Sequence, residues 1–295
     1  MTILKSPLAQ QVKPGSILVL ILNWRRAEDT ITCLRSLFAL GRSDLCPVVI
    51  DNGSGDGSEA MIRAAFPEVP LIQTGANLGY AGGNNVGLRL ALETEARYVM
   101  LLNNDTVLKE DLFSSLLEVA AAANDRVVLG PKTYTLDSDQ AVQFAGVVWL
   151  TSELRFSVMR DNEGETAFGR TLYRTSYIQG SALLVPVAVL RDVGLFDERF
   201  FLTYEEVDWC FRAKAKGVSC WVVPESRVWH ASSPSFGGRK SPLYDYFTTR
   251  NELLWLEKEF GRSVALSQFG RPLYWELRRR VRAMQSGGAT VMTAL

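Results

Sequence analysis

The chain carries no excess charge of either sign: 32 Lys and Arg face 32 Asp and Glu across 295 residues. A neutral chain is not steered to nucleic acid by its overall field, and no nucleic-acid partner is expected. Cysteine is sparse. Cys33, Cys46, Cys210 and Cys220 make no CxxC pair, so their spacing gives neither a zinc site nor a disulfide framework, and a reducing cytosol suits them. No apolar run approaches the ~20 residues that span a bilayer. Residues 1–15 lack a continuous apolar stretch and read as a short polar leader rather than a signal peptide. Also missing are the GxGxxG dinucleotide fingerprint and the Lys-Ser/Thr of a P-loop, which argues against an oxidoreductase. His230 is the single histidine, and no Ser-His-Asp or Cys-His signature accompanies it.

What is present is a large apolar content, 47% hydrophobic with 10% aromatic residues, ample for a sizeable core. Short apolar runs at 16–24, 47–50, 71–72 and 98–102 alternate with helical patterns at 29–40, 58–66, 80–93 and 109–123. Strands alternating with helices imply βαβ units and a parallel sheet with helices on both faces. Beyond Val127–Pro131 the pattern breaks into short alternating pieces over 140–180, read as hairpins or irregular structure. A strand at 183–186, helices at 187–193 and 205–217, and a strand at 219–223 follow. Helices are expected at 243–261 and 272–285, with a loose tail from 286.

Four strand ends carry polar clusters: Asn23-Trp24, Asp51 to Ser58, Gln73 to Asn85, and Asn103-Asn104-Asp105. Each alone reads as a turn or helix cap. In a parallel sheet, however, these ends lie along one edge, where open α/β sheets bind ligands. Together they favour a nucleotide in that cleft. Asp51 can accept from a base N–H or a ribose hydroxyl, and Asn77 and Asn84 can offer amides. The glycine-rich loop with Gly79, Gly82 and Gly83 can bring backbone N–H groups to a phosphate at a helix start. Asp105 is a candidate ligand for a hard divalent cation neutralising a diphosphate. It needs a second donor, and His230 is a candidate for it.

Residues 205–208 place Glu205, Glu206 and Asp208 at a helix start. An acidic first turn is ordinary. Yet these follow Phe200-Phe201-Leu202, which suggests a carboxylate at the edge of a packed pocket, where burial raises its pKa toward that of a general base. Trp149, Tyr204 and Trp209 are either sugar-stacking aromatics or core.

The ordered set Asn23-Trp24, Asp51-Asn-Gly-Ser-x-Asp-Gly-Ser58, Asn77-Leu-Gly-Tyr-Ala-Gly-Gly-Asn-Asn85, Leu102-Asn-Asn-Asp105, Phe196 to Phe201, Glu205-Glu-x-Asp208 and His230 resembles family 2 inverting glycosyltransferases of the GT-A fold. The closest likeness is to the bacterial rhamnosyltransferase-like branch that builds cell-surface polysaccharides. The resemblance covers residues 16–255. It implies an α/β GT-A fold: a Rossmann-like nucleotide-binding sheet merged with a smaller acceptor-binding part, followed by C-terminal helices. It implies a nucleotide-diphosphate sugar as donor, with rhamnose one candidate sugar, and a glycan or lipid-linked glycan as acceptor. It also implies a divalent metal, Mg²⁺ or Mn²⁺. Asn23, Asp51, Asn77, the glycine loop and Asn84 would line the donor pocket. Asn103-Asn104-Asp105 takes the place of the DxD metal motif, with Asn103 where many members have Asp, and His230 matches a histidine that completes the metal shell. Glu206 matches the position of the catalytic base, with Glu205 and Asp208 as rivals.

The expected organisation is a leader over 1–15, a catalytic domain over 16–235 (donor half 16–134, acceptor half 135–235) and a helical extension over 236–295. The basic, aromatic segment Arg271 to Arg282 is either a solvated helix face or a contact for anionic lipid headgroups. The second reading would put a cytoplasmic protein at the inner face of the plasma membrane. Two other functions fit less of the pattern: a non-catalytic nucleotide- or glycan-binding module, and a metal-dependent nucleotidyltransferase. The latter would want glycines at the first strand end, where Asn23-Trp24-Arg25-Arg26 has none.

Overall fold

A computed structural model describes residues 8–159, 163–231 and 241–268. The chain divides into two compact units, Met1–Ser241 and Pro242–Leu295. In the first, the expected alternation forms β1 (Ile17–Asn23), α1 (Ala27–Ala39), β2 (Leu45–Asp51), α2 (Ser58–Ala65), β3 (Leu71–Gln73), α3 (Gly79–Glu93) and β4 (Tyr98–Asn103). There follow β5 (Thr106–Val107), α4 (Phe113–Ala122), β6 (Val127–Thr135), β7 (Ser138–Phe144), β8 (Val147–Leu150), β9 (Arg155–Val158), β10 (Glu165–Ala167) and β11 (Arg170–Thr175). The unit closes with β12 (Ala182–Pro186), α5 (Val187–Val193), α6 (Glu205–Ala215) and β13 (Ser219–His230).

Eleven strands share one sheet, with path β10-β11-β13-β6-β12-β4-β1-β2-β3 and with β5 on β13 and β7 on β6. The pairings of β1 with β2 and β4, and of β2 with β3, are parallel. β12 runs antiparallel between β4 and β6, so the later half of the unit joins the same sheet. Strands covered on both faces read as continuous apolar runs, and the side chains divide by alternation. Leu18, Leu20, Val48, Ile50, Val99 and Leu101 pack on the face covered by α3, α5 and α6. Ile17, Val19, Ile21, Val49, Met100 and Leu102 pack on the opposite face with α1 and α4.

The largest departure from expectation is β13. It does not stop at Val223 but runs on to His230, because a register shift between Val223 and Arg227 absorbs Pro224. Proline is tolerated in a sheet at such a bulge. That continuation carries His230 to the far end of the sheet, opposite Thr106 of β5.

The second unit contains α7 (Pro242–Phe260) and α8 (Arg262–Gln268). Gly261, at φ +88°, separates them, and Trp255 meets Phe260 edge to face at 5.6 Å. The helix expected over 272–285 and the basic segment 271–282 lie outside the described residues. No helix among the described residues is long and apolar enough to cross a membrane.

Candidate active site

The strand ends meet as the parallel register requires: Asn23 lies beside Asp51, Asp51 beside Gln73, and Leu22 beside Asn103. Asn23 and Asp51 are fully buried and hold each other. Asn23 Nδ2 donates to Asp51 Oδ2 at 2.7 Å, while Asp51 Oδ1 accepts from the Ser54 N–H at 2.9 Å and Gln73 Nε2 at 3.0 Å. Thr30 Oγ1 donates to Asn23 Oδ1 at 2.8 Å and accepts from Asn104 Nδ2 at 3.0 Å. Asn23, Asp51 and Asn104 therefore tie α1 to three strand ends, and in this structure their polar atoms serve the scaffold.

The glycine loop also has a structural reason. Gly79 has φ +73°, and a Cβ there would come within 2.4 Å of the Phe201 carbonyl oxygen. That oxygen accepts from the N–H groups of Tyr80 (2.6 Å) and Ala81 (3.3 Å), so the start of α3 is capped by the chain itself. A Cβ on Gly83 would meet Leu22 Cδ1 at 2.6 Å, and one on Gly82 would meet Leu78 Cβ at 2.8 Å. These glycines allow α3 to pack closely, and the amides of Gly79, Tyr80 and Ala81 are engaged within the chain. Asn84 is buried and its Nδ2 bonds back to the Tyr80 carbonyl at 3.0 Å. Asn77 is exposed, with its Oδ1 receiving Asn52 Nδ2 and the Gly79 N–H.

Asp105 and His230 come together because β5 pairs with the end of β13. His230 Nε2 lies 3.1 Å from Asp105 Oδ1 and 3.2 Å from Asn103 Nδ2. His230 Nδ1 lies 2.6 Å from Gln143 Oε1. Both His230 and Asp105 are buried. Among the described residues, no group of three or more His, Cys, Asp or Glu converges as a metal cage. One carboxylate and one imidazole nitrogen facing the same point do fit a hard divalent cation whose remaining positions go to water and substrate phosphates.

The acidic turn is built on strain. Phe201, Thr203 and Tyr204 all have positive φ (56°, 66° and 71°), and non-glycine residues adopt this only where surrounding structure holds them. Glu205 is buried and Glu206 half-buried. Burial raises both carboxyls above their ordinary range, and the Glu206 charge raises Glu205 further. The Gly180 backbone bonds to Glu206. Among the described residues, the Oε2 atoms of both glutamates find no hydrogen-bond partner. Tyr80 meets the same segment: its O–H donates to the Gly180 carbonyl at 2.7 Å. Its phenol is pushed well up by burial, then by the charges of Glu206, Glu205 and Asp105. The Asn103 N–H also donates to the Ser181 carbonyl at 3.0 Å. The segment 180–181 thus joins the strand end before Asp105 to the turn that carries Glu206.

Asp208 is different. It is fully buried and paired with Arg212 Nε at 2.9 Å. The same guanidinium donates to the Val193 and Leu195 carbonyls. Trp209 is core, its Nε1 donating to the Gly194 carbonyl at 2.6 Å, and Trp149 packs on Phe156 in the β8–β9 hairpin. Sequence reasoning missed Thr30, Tyr80, Gln143 and Gly180. Of these only Tyr80 stood inside a quoted motif. A cavity of about 580 Å³ beside Arg174 and Lys214 shares no residue with this site.

The sequence pattern of glycosyl transferase family 2 matches residues 16–179, and that of glycosyl transferase family group 2 matches residues 98–284. The chain belongs to glycosyl transferase family 2. It is 24% identical over 281 residues to the low-salt glycan biosynthesis hexosyltransferase Agl10 of Haloferax volcanii, covering 88% of this chain and 81% of that one. It is 25% identical to the dTDP-rhamnosyl transferase RfbF of Shigella flexneri, covering 72% and 70%. It is 28% identical to an N-acetylglucosaminyl-diphospho-decaprenol L-rhamnosyltransferase of Mycobacterium tuberculosis, covering 69% and 72%. These two relatives come from the branch whose motifs the sequence resembles. Among solved structures, GalNAc-T7 with UDP, GalNAc and Mn²⁺ superposes with TM-score 0.64 at 15% identity, over 88% of this chain. This chain spans about half of it, 51%. The mannosyltransferase PcManGT of Pyrobaculum calidifontis, in complex with GDP-Man and Mn²⁺, superposes with TM-score 0.60 at 14% identity, covering 95% and 79%. The fold is GT-A.

Proposed function

We propose that this family member moves a sugar, with inversion, from a nucleotide-diphosphate sugar to a hydroxyl of a glycan or lipid-linked glycan. The observation that supports this reading is that the charges of Glu206, Glu205 and Asp105 all bear on the one buried Tyr80 phenol. Asp105 faces the imidazole of His230, and Glu206 carries a buried carboxylate oxygen with no hydrogen-bond partner among the described residues. Asp105 and His230 would hold a divalent metal, which when bound supplies Lewis-acid stabilisation of the diphosphate leaving group. Glu206 takes the proton of the acceptor hydroxyl. The resulting oxygen attacks the anomeric carbon, the bond to the diphosphate breaks, and the nucleoside diphosphate leaves with the bonding pair. No enzyme-bound sugar forms, so configuration inverts once. The raised pKa of Glu206 makes it a stronger base than an exposed carboxylate. Asp208 spends its charge on Arg212, which leaves Glu206 and then Glu205 as bases.

The rhamnosyl relatives make dTDP-rhamnose the first donor to test. Titrating donors in the presence of Mn²⁺ or Mg²⁺ should show an intact nucleotide sugar stabilising the protein beyond its free nucleotide, and NMR of the product should show the inverted anomer. Glu206→Gln should retain donor binding and lose turnover. Retained configuration, or turnover unchanged in that variant, would remove the mechanism; binding without turnover in the wild type would favour a binding module. Contact with the cytoplasmic membrane face is part of the proposal through residues 271–282. Deleting 271–295 should lower membrane recovery while activity on a soluble acceptor survives, and equal recovery would count against it.

A further inference from the structure

We infer that Gln143 is a positioning residue: it fixes the ring tautomer of His230 so that Nε2 keeps its lone pair for the cation site shared with Asp105. This rests on the reading that Asp105 and His230 hold a divalent metal. The placement of Gln143 begins in the backbone. Along β6 and β7, Thr133 pairs with Phe144, but the next residue, Tyr134, pairs with Val142. Gln143 is the extra residue of a bulge. Bulges re-aim a side chain out of the regular alternation of a strand, and this one brings Gln143 Oε1 to 2.6 Å from His230 Nδ1 across the sheet end.

An amide oxygen only accepts, so the proton of the imidazole resides on Nδ1. The other side of the ring makes the same demand independently. Asn103 Nδ2 can only donate, and it lies 3.2 Å from Nε2, which must then offer a lone pair. The two contacts come from separate strands and require the same tautomer. An imidazolium would suit Gln143 and Asp105 but would set its Nε2–H against the Asn103 amide hydrogens. With Nδ1 protonated, the Nε2 lone pair faces Asp105 Oδ1 at 3.1 Å. A divalent cation held by Nε2 and Asp105 Oδ1 would take a lone pair from each. Buried as it is, at 2% exposure, His230 cannot turn to water for a different arrangement. Hydrogen bonding at the remote nitrogen is the usual way a ligating imidazole is oriented and made more basic. Here a bulged glutamine supplies it.

The chain makes the test unusually direct, because His230 is its sole histidine. Full-length protein labelled with ¹⁵N at histidine gives ring-nitrogen signals from this residue alone. At about pH 8, where imidazole is ordinarily neutral, the metal-free wild type should show a protonated Nδ1 and an unprotonated Nε2. Gln143→Leu should shift the ring toward the Nε2–H form. It should also weaken Mn²⁺ binding roughly 10–100-fold, read by electron paramagnetic resonance with UDP present. Gln143→Glu keeps an acceptor and should keep the wild-type nitrogen pattern. A wild-type spectrum with Nε2 protonated overturns the inference, whether or not any variant folds. So does a Gln143→Leu protein with both nitrogen signals and Mn²⁺ affinity unchanged. Asp105→Asn separates the underlying reading. If that variant binds Mn²⁺ as well as wild type does, the metal assignment falls, while the nitrogen signals still decide whether Gln143 sets the tautomer.

Discussion

Glu206 and Asp208 lie two residues apart on the first turn of one helix, yet their substitution should have opposite consequences. Asp208 is fully buried and bonded at 2.9 Å to Arg212, whose side chain is 25% exposed. Removing one partner of a buried ion pair costs about 3–5 kcal/mol. Arg212 keeps its bonds to the Val193 and Leu195 carbonyls and some water, so the low end applies, about 3 kcal/mol. In a unit of this size, that lowers the melting temperature by roughly 6–12 °C. Asp208→Asn should therefore be markedly less stable but retain turnover below its transition. Glu206→Gln removes the proposed proton acceptor and should lower kcat by roughly 10²–10⁴-fold, about 2.7–5.4 kcal/mol in barrier. Its melting temperature should hold or rise, because a half-buried charge is lost. Thermal denaturation and a nucleotide-release assay, run on both variants, read the two effects separately. If Asp208→Asn abolishes turnover at unchanged stability while Glu206→Gln stays active, the assignment of base and strut is reversed and the reasoning fails.

Burial raises the Glu206 carboxyl above its ordinary value of 4.5, so, with Glu206 as the proposed base, kcat/KM should begin to fall at a pH above that value as this carboxylate is protonated. A profile flat down to pH 4.5 would contradict this. Glu205 is raised further; an acid whose folded pKa exceeds its unfolded value stabilises the fold below the unfolded pKa and loses that contribution as pH rises through the folded one. Glu205→Gln should thus raise the melting temperature more at pH 8 than at pH 4, and an equal shift at both would refute the assignment. Gly79→Ala should destabilise by about 2–4 kcal/mol, combining the left-handed backbone with the clash against the Phe201 carbonyl. Chemical denaturation would expose an unaltered midpoint as counter-evidence.

The parallel half of the sheet was readable because its strands are apolar on both faces and their ends are marked by Asn23, Asp51 and Asn103. Simple alternation of strands and helices then aligns those ends. What the marks do was less readable. Asn23 and Asp51 pair with each other across 28 residues, and no pattern distinguishes a polar residue that holds a strand end from one that meets a ligand. Gly79 announced a close approach, but the approaching atom belongs to Phe201, far along the chain. β13 was cut short in the reading because Pro224 and its polar successors look like a loop, whereas a bulge carries the strand through them. Gln143 left no trace: it is one more polar residue in an alternating segment, and only the slipped register turns it toward His230.

The Phe201 carbonyl closes a circuit. It accepts from the Tyr80 amide, the Tyr80 hydroxyl reaches Gly180, Gly180 bonds Glu206, and five residues of backbone lead from Glu206 back to Phe201. A side chain fastened into such a ring has its freedom removed when the protein folds, before any sugar arrives. On the proposed mechanism, acceptor capture then carries little ordering penalty at this position, and a change at Tyr80, though remote in sequence, should loosen the carboxylate as effectively as a change beside it.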